Sequence, residues 1–114
     1  MVFNFTRNPI IFAACLGVSA CAGGNALPKT TALDVTRAEQ LWPGATAEQL
    51  SHGRTLYLGH CTSCHLPVAP STVSAREWPS HVREMKTRAG LSDAEIRLVE
   101  RYLVTIASRS GSVR

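Results

Sequence analysis

An all-α domain is the fold class that this 114-residue sequence predicts, on three observations. Apolar residues recur at helical spacing in three stretches: Leu50, Gly53, Leu56 and Tyr57; Trp78, Val82, Met85 and Ala89; Ile96, Val99, Leu103 and Ile106. A hydroxyl residue stands three positions before a Glu or Gln at Thr36–Glu39, Thr46–Gln49 and Ser92–Glu95, a pairing that satisfies the free N–H groups of a helix start. No strand pattern accompanies the cysteine pair at positions 61 and 64. The length leaves room for one domain.

The first twenty residues read as a targeting segment. Arg7 is the only charge before an apolar run from Ile10 to Ala20, which has the pattern of a secretory signal and is too short to span a bilayer. Val18-Ser19-Ala20-Cys21 resembles the lipobox of bacterial lipoproteins, in which the signal is cut before a cysteine that then carries lipid. Residues 1–20 are then a cleaved signal peptide and Cys21 the lipidated first residue of the mature chain. An ordinary signal cut after Ala20 would instead leave Cys21 a stray thiol. Several acyl chains anchor a protein stably where a single one does not. Ala22, in place of the aspartate of inner-membrane retention, favours by this resemblance the periplasmic side of an outer membrane.

Residues 21–45 read as a lipid-anchored linker. Ala22 to Thr31 is small, polar and broken by Gly23, Gly24 and Pro28, a flexible tether that stands the domain off the membrane. The Thr36–Glu39 pair starts a short helical turn that Pro43-Gly44 ends, and Leu41 and Trp42 pin this segment onto the domain. The competing reading of Trp42 is a partner-docking residue.

Thr46–Gln49 opens a helix from Ala47 to Gly59. Gly53 sits inside its apolar face, where glycine costs about 1 kcal/mol relative to alanine. Close approach of another helix is the packing reason expected there, with Tyr102 filling the gap. His52 falls on the opposite side, toward solvent.

Cys61-Thr62-Ser63-Cys64-His65 follows. Two thiols three positions apart with an imidazole after the second are spaced to attach a c-type haem. Each thiol can form a thioether to one vinyl group while His65 binds the iron as proximal ligand. Three other readings use the same residues. A thioredoxin-type CxxC wants a βαβ setting; a structural zinc site needs a fourth ligand from His60, His52 or His81; a plain Cys61–Cys64 disulfide leaves His65 unexplained. An exported chain favours haem. Cys15 leaves with the signal, Cys21 takes lipid, and Cys61 and Cys64 take the cofactor, so no cysteine remains for a structural disulfide. So small a domain buries too little surface for comfort, and a porphyrin would complete its core. The haem-free chain is therefore expected to be largely unfolded.

Leu66-Pro67-Val68-Ala69-Pro70 is a stiff extended loop, because each proline restricts the residue before it. Its carbonyls are placed to accept the free N–H of His65 and fix the ring, Pro67 being the one expected. Ser71 to Arg76 reads as polar loop. Glu77 to Ala89 forms the next helix, with Pro79 in its first turn and Gly90 as its stop. Met85, on its apolar stripe, is the only methionine after Met1 and the candidate distal ligand; His81, one turn earlier, is the alternative. Ser92–Glu95 starts the last helix, to about Ser108, with Arg97, Glu100 and Arg101 on its wet side, and residues 109–114 read as a frayed tail.

Together, Gly53-Arg54-x-Leu56-Tyr57, Cys61-x-x-Cys64-His65, Trp78, Met85 and Tyr102-Leu103 resemble the small monohaem class I cytochromes c, over Thr46 to Ser108. The resemblance implies a cytochrome c-like helical domain at 46–108 wrapped around one covalent haem c. Its first and last helices would cross near Gly53 and Tyr102. His65 and Met85 would be the iron ligands, and Cys61, Cys64, His65, Met85, Trp78, Tyr57 and Pro67 the haem-binding residues.

The function expected is that of a tethered electron carrier, not an enzyme, exchanging single electrons with redox proteins or a larger dehydrogenase or oxidase. The alternative is a haem-based ligand sensor or small peroxidase with an open or displaceable sixth position, with His81 or Arg83 above the iron. Arg83, Lys86 and Arg88 either steer an acidic partner or form a solvated helix face. The net charge of +4, reduced further when Arg7 and the haem propionates are counted, is no nucleic-acid footprint.

Overall fold

The computed structural model describes residues 27–111. The expected signal segment, Cys21 and the last three residues lie outside that range. Four helices account for most of it: α1 (Ala32–Leu41), α2 (Ala47–His60), α3 (Trp78–Ala89) and α4 (Asp93–Ala107). Single 3₁₀ turns occur at Pro70–Thr72 and Ser108–Ser110. Among the described residues there is no strand, in agreement with the all-α expectation.

Local chemistry places three helix starts and one stop. Thr46 Oγ1 accepts from Gln49 N (3.2 Å) at the head of α2. Ser92 and Glu95 form the full reciprocal box at the head of α4, Ser92 N and Oγ both donating to Glu95 Oε2 at 2.8 Å. At α3 the residue before the helix is Glu77, and Pro79 occupies the first turn, where its missing N–H is not needed. Gly90, at φ 66°, closes α3 in the left-handed conformation that glycine adopts freely.

The helix before these differs from expectation. It is a ten-residue helix beginning at Ala32, not a turn beginning at Thr36, and Thr36 lies inside it with Oγ1 donating back to Ala32 O. The start belongs to Thr31, whose N–H and hydroxyl both donate to Asp34 Oδ2 (2.7 and 2.8 Å). Asp34 is fully buried and also receives Arg37 Nη1 (3.0 Å) and Arg109 Nε (2.9 Å). Arg109 was expected in a frayed tail; two hydrogen bonds to Asp34 and one to Lys29 O hold it instead. The expected tether is likewise shorter, because Leu27 is buried. Arg54 binds its carbonyl with two N–H groups, and the Tyr102 hydroxyl donates to Pro28 O at 2.7 Å.

α4 is the central element, buried from Tyr102 through Ala107 and packed against α1, α2 and α3. α2 crosses it at Gly53. A Cβ there would stand 2.0 Å from the Leu98 carbonyl oxygen and 3.1 Å from Tyr102 Cβ, so the approach is closer than any side chain permits. Tyr102 was expected to fill this gap; it borders it, but the nearest atom is the Leu98 backbone. Ala38, Ala45 and Leu50 form a second small cluster under α1. Trp42 joins both clusters with Arg101 Cζ 5.7 Å from its ring centroid, pinning the segment as expected, whereas Leu41, expected to pin it too, belongs to neither cluster and is exposed.

Candidate functional site

The last turn of α2 carries the motif out of the core. Cys61 caps the helix, its N–H donating to Tyr57 O, and Thr62 to Cys64 form a turn. Hydroxyls tie the turn down: Thr62 Oγ1 donates to Leu58 O (2.6 Å) and Ser63 Oγ to His60 O (3.1 Å). Cys61 is half-buried and Cys64 exposed, and neither forms a disulfide. Burial holds the Cys61 thiol above its ordinary pKa, keeping it a neutral thiol.

His65 follows with its Nδ1–H donating to Leu66 O at 2.7 Å. The carbonyl expected was that of Pro67. The chain turns out of the motif one residue sooner, and the nearer carbonyl is taken. With Nδ1 engaged by Leu66 O, Nε2 is the ring nitrogen left for a ligand.

The loop beyond is fastened by two aromatic side chains. Tyr57 OH donates to Val68 O (2.9 Å) and accepts from Val68 N (3.0 Å), and Trp78 Nε1 donates to Pro70 O (2.9 Å). The two rings meet edge to face with centroids 6.3 Å apart. Burial pushes the Tyr57 phenol up to about 12 despite its bond to Val68.

Between this loop, α2, α3 and α4 lies a largely apolar cavity of about 210 Å³. Its wall brings together Cys61, His65, Tyr57, Trp78 and Met85, and His81 reaches it from one turn before Met85. A smaller cleft of about 80 Å³ shares Cys61, His65 and Met85 with the cavity and adds Cys64 and Arg88. Met85 is 37% exposed, whereas Trp78 and Val82 on its stripe are buried. His81 stands edge-on to Trp78, centroids 6.2 Å apart.

Of the seven residues expected to bind the haem, Pro67 alone lines neither space, and Arg83, the other polar group expected above the iron, lines neither as well. Val73 and Ile96 also line the cavity. Val73 was passed over inside a loop read as polar, where a lone apolar residue was the available signal; Ile96 was assigned to the helix stripe alone. His60 Nδ1 donates to Ala89 O (3.1 Å) and His52 is exposed. Among the described residues no group of three or more His, Cys, Asp or Glu could hold a metal ion by itself.

The basic side chains on α3 are mostly spoken for. Arg83 lies 3.8 Å from Glu100, and Lys86 pairs with Asp93, which leaves Arg88 as the α3 cation beside the cysteines.

The donor set suits a haem. Two free thiols, an imidazole with an available Nε2 and a thioether border two apolar spaces that share Cys61, His65 and Met85 in their walls, and the buried aromatic residues supply a nonpolar wall. No family model, curated protein or solved structure matches the chain.

Proposed function

We propose that this protein is a c-type cytochrome that carries single electrons as an exported, lipid-anchored electron carrier on the periplasmic side of a bacterial membrane. The observation that carries the reading is the shared wall of the cavity, where Cys61, His65 and Met85 meet although 19 residues separate His65 from Met85 in the sequence. Cys61 and Cys64 would hold the cofactor by thioethers, and His65 and Met85 would be its iron ligands. A haem so held supplies a one-electron centre whose potential follows from its axial ligands and surroundings. The protein's part is positional. Leu66 O orients the imidazole, Tyr57 and Trp78 hold the loop behind it, and Val73, Val82 and Ile96 give the cavity apolar walls.

Expression of the full chain together with a haem-attachment system tests this. The expected product carries covalent haem and shows a six-coordinate low-spin spectrum in both oxidation states, insensitive to carbon monoxide. Met85→Ala is expected to lose the methionine-to-iron charge-transfer band and to bind carbon monoxide. A colourless, well-folded product carrying zinc or a Cys61–Cys64 disulfide would refute the proposal. His81 lines the same cavity and supports the second reading, a sixth ligand from histidine or a displaceable one. An unchanged spectrum in Met85→Ala would assign the position to His81.

A further inference from the structure

The packed domain begins closer to the anchor than the sequence alone suggests. Leu27 is buried and the carbonyls of Leu27, Pro28 and Lys29 are each bound by side chains of the domain, so the free tether is at most residues 22–26. Five residues reach roughly 20 Å at full extension. A lipid on Cys21 therefore keeps the Leu27–Lys29 end of the domain near the bilayer, whatever path those five residues take.

What this end presents is α1. Leu33, Arg37 and Leu41 stand at i, i+4 and i+8, on one line along the helix. Leu33 is 68% exposed and Leu41 49%. Glu39, the exposed acid of this helix, lies on the opposite side by helical spacing, and Asp34 is buried beneath Arg109 and Arg37. On the line of the two leucines the charged side chain is Arg37, and exposed Lys29 stands just ahead of the helix, while the carboxylates of Glu39 and Glu48 lie off that line. Exposed leucines along a helix, basic residues beside them and a short tether are the ingredients of an interfacial helix on an anionic lipid surface.

We propose that α1 lies on the membrane surface, with Leu33 and Leu41 set among the lipid headgroups and Lys29 and Arg37 beside phosphates. The proposal deepens the lipid-anchor reading and rests on it. It replaces a domain swinging freely on its tether by one seated on the bilayer in a single orientation, so the membrane restricts which faces a redox partner can reach.

The test uses the full chain, exported, acylated and reconstituted in vesicles of phosphatidylethanolamine and phosphatidylglycerol. A benzophenone amino acid replaces Leu33, Leu41 or, as a control on α3, the exposed Ser80. Intact mass first reports acylation of Cys21; without it the anchor reading fails and the proposal falls with it. With acylation present, irradiation is expected to give severalfold more lipid adduct from positions 33 and 41 than from 80. Equal yields from all three sites, or adducts from 33 and 41 to a second polypeptide in place of lipid, would overturn the membrane seat while leaving the anchor intact.

Discussion

The Tyr57 hydroxyl holds Val68 by both of its backbone polar groups, donating to the carbonyl at 2.9 Å and accepting from the N–H at 3.0 Å. One side chain of α2 thus substitutes for the paired strand that the extended loop after His65 lacks.

Tyr57→Phe removes both bonds while keeping the ring against Trp78. The expected loss is about 1–2 kcal/mol in denaturant unfolding, with faster amide exchange at Val68. The phenol also sets an alkaline limit. Its folded value of about 12 lies above the ordinary 10.0, so its share of stability is whole below pH 10 and is lost as pH rises from 10 to 12. Tyr57→Phe is expected to flatten that alkaline decline, measured as unfolding midpoint against pH; an identical decline in the variant would refute the assignment.

Asp34 should govern the acid side. Burial by itself would raise its pKa, but the hydrogen bonds from Arg109 and Thr31 outweigh burial and hold it well below the ordinary 3.8. Its contribution is therefore present above pH 4 and lost as pH falls below that value. Asp34→Asn leaves two arginines facing a neutral group and is expected to cost about 2–3 kcal/mol at pH 7. Thermal unfolding between pH 2 and 7 should show a shallower acid decline in the variant.

Gly53→Ala is expected to be the most damaging of the single changes considered. The added carbon would sit 2.0 Å from a backbone oxygen of α4, which cannot rotate away as a side chain would. α2 and α4 must separate, at a cost of about 4 kcal/mol or more, and a lowered melting temperature or loss of folded protein checks it.

Thr105→Val is expected to stabilise. Thr105 is fully buried on α4 and its hydroxyl has no hydrogen-bond partner. A methyl of the same size removes the desolvation penalty, so the unfolding free energy should rise by about 1 kcal/mol.

Local signals made α2, α3 and α4 legible, since Thr46, Ser92, Pro79 and Gly90 act on neighbours within one turn. α1 was misplaced because two overlapping hydroxyl–acid pairs compete there, Thr31–Asp34 and Thr36–Glu39. The choice between them is made by Arg109, 75 positions from Asp34, and no local pattern reveals that contact. The site divides the same way. Cys61, Cys64, His65 and Met85 could be singled out from residue type and spacing, and the structure sets them around two spaces with a shared wall. The path of the loop depends on how Tyr57 and Trp78 grip Val68 and Pro70, so the change of His65 partner from Pro67 to Leu66, and the presence of Val73 in the wall, appear only in three dimensions.

Because Asp34 binds Arg109, and Arg109 binds Lys29 O, the polypeptide enters and leaves its globule by the same corner. Such a module can be spliced into a surface loop of a host protein without stretching. By the same token its ends can be joined by a short peptide and a new opening cut at the Gly90 turn, yielding a circular permutant with the helices in their native places.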